Sequence, residues 1–118
     1  MVDHGVPDAG AVPALTIDRL TPAVVEIRRG LAQVEGGTPI GDAADRDLRM
    51  RQARCLGMSS RLILVTDPKY GRHPLLDEAV RMRGRLDEIE RAISVELAVR
   101  RETEFRLARA RWASPKHG

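Results

Sequence analysis

A chain of 118 residues with three aromatic side chains, Tyr70, Phe105 and Trp112, must build its core from Leu, Ile, Val, Ala and Met, which favours packed helices over a β-sandwich. The formal charge is +3, with 17 acidic residues dispersed among 20 basic ones, a weaker field than a dedicated nucleic-acid binder carries. Cys55 stands alone and His4, His73 and His117 lie far apart, which excludes an internal disulfide and offers no metal-ligand spacing.

The opening residues have neither a basic n-region nor an apolar h-region, and no run approaches the 18 apolar residues of a membrane span. The expectation is a soluble protein of a reducing compartment, cytoplasmic or held in a virion assembled there, with no membrane, cofactor or metal. One domain is the natural division for this length, and association with other chains would add to its stability.

Residues 1–20 hold Gly, Pro and Ala with scattered acids and no periodicity, and read as an extended arm. Thr21 and Pro22 make a good helix opening, and Val24, Ile27, Leu31 and Val34 then recur at steps of three and four, predicting a helix over about 22–35. Gly36 and Gly37 stop it. After a short turn, Asp42 is placed to cap a second helix over about 42–60, in which Asp45 and Asp47 precede Arg49 and Arg51 by four residues, the favourable order for helix ion pairs. The run Leu62 to Val65 suits either a buried strand or the last turns of that helix, and helix is favoured because no second strand-like run exists to pair with it. A polar loop, Thr66 to His73, completes a helical hairpin region over 21–73.

From Pro74 to residue 113 the chain reads as one long helix, about 75–113, followed by a short tail, 114–118. At 1.5 Å per residue it is roughly 57 Å long, against a diameter near 35 Å for a globule of this length. Leu75, Ala79, Met82, Leu86, Ile89 and Ile93 alternate at four and three, a seam for another helix. Leu97, Arg101, Phe105, Ala108 and Trp112 continue it at looser spacing. The expected interface is therefore Leu86, Ile89, Ile93 and Leu97, anchored at its far end by Phe105 and Trp112, with a second copy or another helical protein as partner. Gly84 is the weakest point of the helix, costing about 1 kcal/mol relative to Ala.

Three groups of residues invite a binding role. Over about 49–69 a helix-turn-helix pattern places Ala53 at the small internal position, Leu56 and Gly57 at the turn and Ser59 to Arg61 at the start of a second helix. The stretch from Leu56 to Pro68 resembles the second and third helices of phage small-terminase DNA-binding domains, and that resemblance implies a DNA-binding head carried on an oligomerising helix. Arg61, Lys69, Tyr70, Arg72 and His73 are candidates for an anion or nucleic acid before the start of the long helix, where free amides and the helix dipole also favour negative charge. A basic stripe, Arg100, Arg101, Arg106, Arg109, Arg111 and Lys116, could meet nucleic acid or an acidic partner, but the favoured reading is that it offsets the dipole and solubilises an exposed helix end. Catalysis is not expected: the carboxylates of the long helix have ion-pair partners and Cys55 reads as an apolar filler. The sequence points to an all-α protein of three main helices that acts as a non-enzymatic assembly or adaptor component, with DNA binding through residues 49–69 as the alternative.

Overall fold

The computed structural model describes residues 14–113, which form three helices and no strand. Helix α1 spans Ala14–Glu35, α2 spans Asp45–Val65 and α3 spans Leu76–Ala113. The tail 114–118 and most of the expected arm lie outside the described residues, but positions 14–20 of that arm are helical.

Each helix follows from one apolar stripe. On α1, Val24, Ile27, Leu31 and Val34 are buried at steps of three and four. Leu20 extends that stripe by one more turn and packs against the core, so the helix starts before Thr21 and Pro22 lies inside it, eight residues past the first. That corrects the expected opening at Thr21-Pro22: packing outweighs the backbone bond that proline cannot donate. The helix ends at Gly36, whose N–H reaches the Ala32 carbonyl.

A 3-10 turn, Ile40–Asp42, leads into α2, whose first residue follows Ala44 rather than Asp42. Asp42 therefore does not cap the helix. Leu48, Arg51, Cys55, Met58, Leu62 and Val65 form the buried stripe, again at threes and fours without interruption. Leu62 and Val65 face inward while Ile63 and Leu64 face outward, which is the helical solution to the ambiguous apolar run. The Thr66 hydroxyl donates to the Leu62 carbonyl, and Pro68 prevents continuation. Asp67 then caps a second 3-10 turn, Pro68–Tyr70, by accepting from the Lys69 N–H at 2.9 Å, and Gly71 takes the positive φ of 63° that reverses the chain.

Helix α3 is unbroken through Gly84. Its stripe of Ala79, Met82, Leu86, Ile89, Ile93 and Leu97 lies against α2 along an antiparallel hairpin, fastened by Arg83 to Thr66, Gln52 to Glu90 and Ser94, and Arg100 to Asp45. Helix α1 runs antiparallel to α2 and parallel to α3: Arg61 and Arg54 of α2 reach Glu26 and Gln33, while Arg28 meets Glu78 and Glu35 meets Arg85. Gly30 lets α1 approach α2 closely, since a Cβ there would lie 2.6 Å from the Met58 sulfur. The radius of gyration, 21.8 Å, far exceeds the 13–14 Å or so of a globule of this length. Helix α3 contributes to that excess, because it runs on past the start of α2.

Candidate interaction site

Arg100 is the last residue of α3 that the body holds. Its guanidinium donates to Asp45 at 2.7 Å, to Glu96 at 2.8 Å and to the carbonyls of Ile40 and Gly41, tying α3 to the start of α2 and to the turn before it. Those neighbours hold its pKa above the ordinary arginine value, the Asp45 bond contributing most and Glu96 next. Beyond it, every residue from 101 to 113 is exposed. At 1.5 Å per residue this projecting segment is about 20 Å long.

The segment is not uniformly polar. Phe105 and Leu107 are more than half exposed and Trp112 is 91 % exposed, a large apolar area to leave in water. Arg109 lies over the Phe105 ring at 5.7 Å, and Arg106 pairs with Glu102 at 3.2 Å. Continuing the buried stripe of α3 past Leu97 at steps of four and three reaches Arg101, Phe105, Ala108 and Trp112. That row has drifted by about a quarter turn from the stripe that is core in the body, so Phe105 and Trp112 lie on a neighbouring face of the same helix. A second set of outward apolar residues, Val95 and Val99 on α3 and Met50, Leu56, Ile63 and Leu64 on α2, lies on the body itself.

The structure divides the expected interface in two. Leu86, Ile89, Ile93 and Leu97 are buried within the chain's own core and are closed to any partner. Their apolar period correctly marks a helix-packing seam, but the helix that fills it is α2 of the same chain, which corrects the intermolecular assignment. Phe105 and Trp112, beyond the reach of α2, remain open.

The expected anion loop does not converge. Arg61 turns to Glu26 on α1, and Lys69 lies 5.1 Å from the centre of the Tyr70 ring. His73 is a fastener: its Nδ1 accepts the Leu75 N–H at 3.2 Å, so Nε2 carries the proton and donates to the Val65 carbonyl at 2.9 Å, capping the end of α2. Arg72 is exposed. The helix-turn-helix is also absent, because α2 passes through Leu56 and Gly57 with no turn and buries Cys55, Met58 and Leu62 on one continuous face.

Several polar side chains that shape the body carry no separate signal in the sequence. Arg51 is buried, pairs with Asp47 and donates to the Thr38 carbonyl at 2.6 Å, so it closes the α1–α2 connection as well as making the expected helix pair. Arg28 holds the Glu78 carboxyl below its ordinary value by a hydrogen bond, and Ser94 and then Gln52 do the same for Glu90. Burial, and secondarily the charge of Glu90, pushes the Cys55 thiol up, the opposite of what a nucleophile needs.

A cavity of about 140 Å³ between the α1–α2 connection and α3 is smaller than the several hundred Å³ of small-molecule sites. The two arginines lining it, Arg51 and Arg85, are already paired with Asp47 and Glu35. Among the described residues no group of three or more His, Cys, Asp or Glu side chains is placed to hold a metal ion. Also among them, no helix is long and apolar enough to cross a membrane.

These features define an all-α hairpin braced by a third helix, with one helix projecting from its end. Comparison with known proteins finds no family model, no curated protein and no solved structure that matches the chain.

Proposed function

We propose that this is a non-enzymatic helical assembly or adaptor protein whose long C-terminal helix docks on another helix, from a second copy or from another helical protein. One observation carries the reading. Residues 101–113 stay helical although the body covers none of them, and they present Phe105, Leu107 and Trp112 to solvent. An isolated helix of this length is marginal in water, and exposed aromatics add nothing to its stability. Covering by a partner helix would give both features a physical purpose. A multi-copy complex, such as a virion, is a setting that suits a small body with a projecting rod.

The test is to end the chain after Arg100. At concentrations too low for association the body should keep the unfolding midpoint of the full chain, because no buried side chain is lost, while association of the full chain in sedimentation equilibrium disappears. A full chain that never associates, together with a midpoint lowered by the truncation, would show that the segment serves folding and would sink the reading.

A further inference from the structure

Resting on that reading, we infer that the projecting segment of α3 pairs with the same segment of a second copy, antiparallel, with residues 101 and 112 facing each other across the pair.

The argument begins with the uncovered face. Arg101, Phe105, Ala108 and Trp112 recur at four, three and four, the spacing of the inward positions of a short coiled coil. In an antiparallel pair centred between Arg106 and Leu107, Phe105 packs against Ala108 of the partner subunit and Arg101 lies over Trp112 of the partner subunit. Large meets small, and a cation meets the most exposed ring in the chain, 91 % uncovered. The flanking positions are Glu102 and Arg109 on one side and Glu104 and Arg111 on the other. At this register Glu102 faces the partner's Arg109, and Glu104 faces the partner's Arg111. The two-fold axis repeats both contacts, so every flanking charge meets its opposite.

That balance comes from the order of charges along the segment, acids first and bases last, which is self-complementary only when the two copies run in opposite directions. A parallel pair sets Arg101 against the partner's Arg101 and leaves Glu102 and Arg111 without opposite charges. It also sets the two bodies side by side at the same end of the pair. The antiparallel pair puts the bodies at opposite ends. The partner's helix then runs in the same direction as α2.

The contact is large enough to hold. Two copies of Phe105, 56 % exposed, and of Trp112, 91 % exposed, offer on the order of 600–700 Å², before the aliphatic parts of the arginines are added. With the stems of Arg101, Arg109 and Arg111 from both copies the contact approaches the area of about 1,000 Å² expected of a specific interface. In the free chain Glu102 is held by Arg106 and Arg109 rests on Phe105, both in solvent, and these contacts exchange for the intermolecular ones on docking.

The experiment uses the full chain in sedimentation equilibrium. The double variant Glu102→Arg with Glu104→Arg turns all four flanking contacts into arginine pairs, and Arg109→Glu with Arg111→Glu turns them into glutamate pairs. Each alone should associate on the order of 100-fold more weakly than the wild type. An equimolar mixture of the two should recover wild-type affinity as a one-to-one complex. A photo-crosslinking benzophenone side chain at position 101 should attach near residue 112 of the partner, read by mass spectrometry. Attachment near position 101 instead, or association unchanged in both charge variants, overturns the register. If truncation after Arg100 still abolishes that association, the docking role of the helix stands and only this pairing falls. Absence of any association that truncation removes overturns both.

Discussion

Replacing Ile93 by Ala should destabilise the fold rather than dissociate an assembly. Ile93 is fully buried on α3, inside the core shared with α2. The substitution removes three carbon groups at about 0.8 kcal/mol each, or about 2.4 kcal/mol of transfer free energy. A residual cavity of roughly 40 Å³ at about 24 cal/mol per Å³ adds about 1 kcal/mol. The expected loss is therefore about 3–4 kcal/mol, a large part of the roughly 5–15 kcal/mol available to a domain. Val95, two residues further on, is 59 % exposed, and Val95→Ala should change stability by no more than about 0.5 kcal/mol. Urea unfolding followed by circular dichroism gives both values, and using the chain that ends after Arg100 keeps association out of the measurement. A cost below about 1 kcal/mol for Ile93→Ala, or a greater cost for Val95→Ala, would mean that the buried and exposed faces of α3 have been exchanged and would refute the packing.

Gly84 and Gly57 lie inside helices with no heavy atom within 4 Å of an added Cβ, so Gly84→Ala and Gly57→Ala should each stabilise the body by about 0.5–1 kcal/mol in the same assay, and a loss at either would reveal a contact there. The Glu78 carboxyl, normally near 4.5, is held lower in the fold by Arg28, so its contribution is complete above that value and is lost as the pH falls through the lower folded value. Urea midpoints at neutral pH and near pH 3 should therefore fall less between the two for Glu78→Gln than for the wild type, and equal falls would remove the Arg28 link. Cys55, 1 % exposed with its thiol pushed up by burial, should react with a thiol reagent in denaturant but not in native buffer, and ready labelling of the native chain would contradict the buried face of α2.

The apolar spacing of α3 made the helix and its inward face legible before any coordinates. It did not say which helix would meet that face. A stripe of Leu86, Ile89, Ile93 and Leu97 looks the same whether a second chain or the chain's own α2 covers it. The true stripe of α2, Leu48, Arg51, Cys55, Met58, Leu62 and Val65, contains an arginine and a cysteine, so its period was broken to the eye. Arg51 belongs there because its head group reaches Asp47 and the Thr38 carbonyl while its stem packs inward. Gly57 suggested a turn, yet a glycine on the outer face of a helix costs only about 1 kcal/mol and the core on either side outweighs it. Pro22 likewise suggested a start, but Leu20 one turn earlier already belongs to the buried stripe. The run Lys69, Tyr70, Arg72 and His73 has the composition of an anion site, but His73 points back to the end of α2, a contact that sequence spacing does not reveal. Phe105 and Trp112 are exposed because they lie beyond the start of α2, where the chain has no helix to cover them.

The most direct test is the mass of the full chain in solution against that of the chain ending after Arg100. Two copies joined through their projecting helices predict sedimentation at twice the 13.1 kDa of one chain, and a monomer once residues beyond Arg100 are removed. A full chain that sediments as a single copy at every attainable concentration, or a truncated chain that still pairs, would contradict the account.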